Sequence, residues 1–281
     1  MSSPPDAPPE AQLEWEARVG KLAGAAALLS ALLVAASTAV QIGIGAAPDN
    51  EREALLRFEE HQGEFFLTLG LQAVSSFLLA GALLYLLRAT MHRRPEVPRF
   101  TLGLLLLAPV LLAVGGLMNQ LELNDVADEF VAGATSESRA DDLLEDRNVV
   151  GAAIGQGGTL CLALSFVLVS LNAMRAGLLS RFMGVLGIIV GALLVFPLLP
   201  GGQPTVQFLW VAALGMLFLG RWPGGRGPAW ETGEPIPWPT AADARNEAVG
   251  DEVSSDAGDD ALRADEPQPI ARKRSRKKKR R

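Results

Sequence analysis

Six apolar stretches punctuate the chain, at 22–47, 65–87, 100–118, 149–171, 182–199 and 205–220, with polar connectors between them. A helix needs about 20 apolar residues, at about 1.5 Å each, to cross a hydrocarbon core of about 30 Å. The first, second and fourth stretches are ample, the third is adequate, and the last two are short. The short pair flanks a Pro200-Gly201-Gly202-Gln203-Pro204 turn. Neither holds a charge, which favours full crossing over a re-entrant hairpin.

The connectors carry their own pattern. In 48–64, Ala54, Leu55 and Phe58 recur at helical spacing among many acids, which predicts a short amphipathic helix lying on the membrane surface. In 119–148, Val126, Phe130 and Val131 form a narrow apolar stripe in a segment too long for an idle turn. An acidic connector, a span, a basic loop ending Arg-Phe and a further span occur twice, at 48–118 and again at 119–199, as a weak parallel repeat.

Charge fixes the direction of threading. Of 25 Lys and Arg, 21 fall on one set of alternate segments and 4 on the other, Arg52, Arg57, Arg139 and Arg147. Lysine and arginine are retained on the cytoplasmic side, so both ends are expected there. The expectation is an all-α, polytopic membrane bundle of six transmembrane helices in a bacterial cytoplasmic membrane. It divides into a Pro- and acid-rich N-terminal segment (1–21), a transmembrane domain (22–220) and a cytoplasmic tail (221–281). The start of the chain, with Pro4, Pro5, Pro8 and Pro9 among acids, lacks the positive region of a cleaved signal.

Composition narrows the chemistry. Cys161 is the single cysteine, and His61 and His92 stand apart, so neither a disulfide framework nor a cysteine or histidine metal cluster is expected. There is no HExxH, G-x-S-x-G or P-loop, and the glycine-dense run 151–158 opens a span instead of linking a strand to a helix. The expectation is therefore a non-enzymatic protein without cofactor or metal. Polar residues within the spans are uncharged, which argues against ion- or proton-coupled transport. Among them Gln41, Gln72 and Gln156 either glue helices together or line a polar cavity for a passive facilitator. Gly151 and Gly155, and Gly187 and Gly191, are spaced for close helix packing, and Pro109 predicts a kink.

The tail is unusual. Arg221 and Trp222 suit a membrane interface, while Trp230 and Trp238 either enter the headgroup layer or fold against the cytoplasmic loops. Acidic, low-complexity sequence comes next, with the composition of disorder. The terminus is then basic through Arg272, Lys273, Arg274, Arg276, Lys277, Lys278, Lys279, Arg280 and Arg281. Anionic inner-leaflet lipid is the expected partner, with a cytoplasmic protein as the alternative and nucleic acid disfavoured. The leading functional expectation is interaction through this tail, and the second is a small-solute facilitator.

The spans, the run Gly177-Leu178-Leu179-Ser180-Arg181-Phe182-Met183-Gly184-Val185-Leu186-Gly187 and the run Gly220-Arg221-Trp222-Pro223-Gly224-Gly225 resemble uncharacterised actinobacterial six-span membrane proteins. The resemblance covers roughly 22–238 and implies topology alone, with no assigned activity.

Overall fold

Apolar runs rich in Leu and Ala, both strong helix formers, become helices throughout the computed structural model, which describes residues 9–46, 48–196, 202–223 and 225–238. The helices are α1 (Pro9–Ile44), α2 (Glu51–Glu60), α3 (Gln62–Arg93), α4 (Phe100–Ala132), α5 (Glu137–Asp146), α6 (Val150–Arg175), α7 (Arg181–Val195), α8 (Gly202–Phe218) and the single turn α9 (Ala229–Thr232). Among the described residues there is no strand.

Four helices, α1, α3, α4 and α6, are long and apolar enough to cross a membrane. The remaining apolar helices, α7 and α8, are shorter but pack into the same bundle. Each helix of the sequence α1, α3, α4, α6, α7, α8 touches the next, and α8 returns to α1, closing a ring. A contact of α3 with α6 fills its middle. The connection at 197–201 lies outside the described residues, and α8 already begins at Gly202, within the expected turn.

Two helices run beyond their apolar stretches. The segment before residue 22 is helical from Pro9 and continuous with the first span, so α1 has 36 residues and extends about 54 Å. Similarly α4 passes through Pro109 without interruption and continues to Ala132, taking up the first half of the long acidic connector.

That extension corrects the expected surface helix. Asn50 caps α2, its side chain accepting from the Glu53 amide, and Ser136 caps α5 through the Arg139 amide. Their apolar faces meet α4 rather than a membrane: Leu55 and Phe58 of α2, Val126, Ala127 and Phe130 of α4 and Ala140 of α5 form a second small core. Val131 points away and is exposed. Arg52 donates to the Thr135 carbonyl at 2.8 Å, Arg57 donates to the Ala46 carbonyl, and Arg139 pairs with Glu129 at 3.3 Å. Three of the four arginines on this side therefore hold a cap together.

Candidate functional site

Between the cap and the middle of the ring lies a cavity of about 680 Å³. Its walls are α1, α3, α4 and α6, with Leu194 of α7 and Gln207 of α8 completing the lining. All three glutamines singled out in the sequence, Gln41, Gln72 and Gln156, face into it and are exposed. Asn119 and Gln207 join them. None of the lining residues is ionisable.

The lining is layered, and helical periodicity makes the layers. On α1, moving away from the cap, Gln41 is followed by Thr38 and Ser37 and then by Val34. On α3, which runs the opposite way, Gln72 is followed by Ser75 and Ser76 and then by Leu79. On α6 the order is Gln156, Thr159, Leu162. Steps of three or four residues keep each series on one helix face. The fourth wall, α4, gives Asn119, then Gly116 and Gly115, then Leu112. An amide ring thus lies above a hydroxyl belt and an aliphatic floor, about 10 Å from first layer to last, with Ile42 and Leu69 lining the cavity on the cap side of the ring.

The hydroxyls are committed within the protein. Ser37 and Thr38 each donate to the Val34 carbonyl at 2.9 Å, Ser76 to Ala73 at 2.8 Å and Thr159 to Gly155 at 3.2 Å. Ser75 and Ser30 bond across α1 and α3, each hydroxyl within 3.0 Å of the other residue's carbonyl. The five amide side chains, by contrast, make no hydrogen bond to any described residue. They present donors and acceptors to the cavity alone.

One wall is bare backbone. A Cβ on Gly115 would lie 2.2 Å from the Gly155 nitrogen, and one on Gly151 would lie 2.5 Å from the Asn119 nitrogen. The helices α4 and α6 therefore cross in direct main-chain contact, as small residues permit within a bilayer. Gly187 instead makes room for the side chains of Ser170 and Trp210, and Gly191 for the Ala163 carbonyl and the Val167 side chain. Sequence spacing announced α6 and α7 as packing surfaces but gave no sign of Gly24 and Gly215, which bring α1 onto α8.

At the opposite end of the ring the segment 221–238 folds back as a strap. Trp230 is 5% exposed, and its indole N–H donates to the Leu178 carbonyl at 2.9 Å. Its ring stacks on Tyr85 with centroids 5.9 Å apart. The guanidinium groups of Arg93 and Arg226 lie 5.7 and 5.5 Å from the ring centre, within cation–π range. Arg226 also donates to the Leu217 and Phe218 carbonyls, satisfying the end of α8.

Beneath Trp230 sits a buried ion pair. Arg93 grips Glu16 in bidentate fashion at 2.5 and 3.0 Å, and donates to the Ala229 carbonyl at 3.0 and 2.7 Å. Gln12 donates to the same carboxylate at 2.9 Å, and the Tyr85 hydroxyl donates to the Glu16 carbonyl at 3.1 Å. The helix α1, the end of α3 and the strap are thereby joined at one guanidinium. Gly177 makes room for the strap: with φ of 75° and the Ile236 carbonyl 1.8 Å from where a Cβ would stand, no side chain fits there.

Of the tail residues expected to contact lipid or a partner, Trp230 is in the core. Trp222 and Trp238 are half-buried against it, and Arg221 is exposed. Arg272, Lys273, Arg274, Arg276, Lys277, Lys278, Lys279, Arg280 and Arg281 lie outside the described residues. Nothing in the sequence marked Glu16 and Arg93 as partners. They are 77 positions apart, and each reads locally as a solvated charge beside a span.

A family model for a domain of unknown function, DUF4386, matches residues 22–222. The chain belongs to this family. The match spans all the apolar helices and ends at Trp222, so it covers the cavity lining whole and leaves Glu16 and Trp230 outside. No curated protein and no solved structure matches the chain. Membership agrees with a membrane protein of unassigned activity.

Proposed function

We propose that this protein is a non-enzymatic, six-span facilitator or binding protein that admits an uncharged solute to the layered cavity. Five unpartnered amides converging on a cavity without an ionisable group carry the reading. Open to the cavity and without a protein partner, these amides are left to complete their hydrogen bonds with water or a solute. Ion- and proton-coupled carriers place charged groups in such cavities, and their absence here favours passive movement.

The proposal includes an orientation. The strap end, with its exposed arginines, faces the cytoplasm of a bacterial cell, and the cap faces outward. In that orientation the basic terminus is on the side of the anionic inner leaflet and available to it, and each cation near such a surface contributes about 1 kcal/mol. Deleting 272–281 is expected to lower co-sedimentation with anionic vesicles at low salt, and unchanged sedimentation would remove this part.

The cavity reading is tested by labelling. In a Cys161→Ser background, Gln41→Cys and Gln72→Cys are expected to react with a membrane-impermeant maleimide added outside intact cells. Absence of reaction at both sites, in protein that is inserted and folded, would refute an outward-facing cavity.

A further inference from the structure

The cavity's depth profile specifies more than neutrality. Were the ligand a small fully polar molecule, polar groups would be expected on all sides of it, as far as the floor. The deepest lining residue on each of the four walls is instead aliphatic: Val34, Leu79, Leu112 and Leu162. The belt above them has its hydroxyl protons already given to carbonyls of the protein, so it offers a ligand acceptors only. Free donors and acceptors together occur at one level, the amide ring.

We infer that the ligand is an uncharged amphiphile, its carboxamide or hydroxyl head held by Gln41, Gln72, Asn119 and Gln156 and its aliphatic tail directed down to the floor. This rests on the facilitator or binding reading above and names its substrate class. A head able both to donate and to accept satisfies the two sides of a carboxamide, whereas an ether or ester oxygen satisfies only the donors. A carboxylate or ammonium head would enter a site without a counter-charge and lose its hydration uncompensated. The tail, about 10 Å of it between amide ring and floor, replaces water against leucine and contributes through the apolar area removed from solvent.

The inference is tested with Ala73→Cys, which places a thiol on the cavity wall beside the amide and hydroxyl layers, in the Cys161→Ser background and in nanodiscs. Ala152→Cys, also on the wall, serves if the first variant does not fold. The rate of maleimide labelling is followed with hexanamide, acetamide or hexanoate present at equal concentration. Hexanamide is expected to slow labelling, by roughly tenfold when it is present at ten times its dissociation constant. Acetamide and hexanoate leave the rate within about twofold of the ligand-free value, and adding Gln72→Leu abolishes the hexanamide effect. Protection by acetamide equal to that by hexanamide overturns the amphiphile, and equal protection by hexanoate overturns the neutral head, in both cases with the cavity reading intact. A thiol that never reacts at either position overturns the cavity reading and this inference with it.

Discussion

Arg93 is 6% exposed and Glu16 is 2% exposed, so each is stable in its place only because the other is there. Removing one partner of such a pair leaves an uncompensated buried charge, which costs about 3–5 kcal/mol. Arg93→Ala is therefore expected to lower the midpoint of thermal unfolding in detergent sharply, and Arg93→Lys to recover little of it. A lysine lacks the planar fork that serves the Glu16 carboxylate and the Ala229 carbonyl together. A double change, Arg93→Met with Glu16→Gln, is expected to be milder than Arg93→Ala alone. At this scale the sequence was informative about Gln41, Gln72 and Gln156, since an amide inside an apolar run has few explanations. It was silent on Glu16, Arg93 and Tyr85, whose roles arise from neighbours distant in the chain.

Helices declare themselves where their surroundings are uniform, and the apolar middles of α1, α3, α4 and α6 were readable for that reason. Their polar ends were not. The extension of α1 back to Pro9 and of α4 on to Ala132 is stabilised by tertiary contacts that a hydropathy pattern does not contain. The same limit explains α2: its amphipathic face was apparent, but a membrane and a protein surface offer that face the same apolar burial. The crossing of α4 and α6 yields an asymmetric prediction. Gly115→Ala would force its methyl against the Gly155 backbone at 2.2 Å, whereas a methyl on Gly155 would stand 3.8 Å from its nearest neighbour. Gly115→Ala is expected to destabilise the bundle by about 1–3 kcal/mol through overpacking, and Gly155→Ala to be nearly neutral. Unfolding in mixed micelles checks both.

For the whole molecule, the ring of six apolar helices is closed at one end by a strap that belongs to the same chain and is open to a cavity toward the other. Truncation after Trp238 is expected to leave the unfolding midpoint of the bundle in place. Truncation after Gly220 strips away Trp230, and loss of such a buried aromatic costs about 3–5 kcal/mol. Comparing the two proteins by circular dichroism on heating separates the strap's contribution from that of residues 239–281. The layered cavity was only partly foreseeable: three of its five amides stood out in the sequence, but Asn119 and Gln207 converge on them because α4 and α8 lie where the glycine crossings put them.

The strap also imposes an order of events on biosynthesis. Glu16 and Arg93 leave the ribosome early, yet the carbonyl and indole that bury them belong to Ala229 and Trp230, which emerge after the last apolar helix. Until translation has passed that point, a nascent bundle displays an incompletely covered ion pair at the end the strap will close. A chain stalled or clipped before residue 229 would carry that mark permanently, giving cellular proteases a means of telling unfinished copies from finished ones.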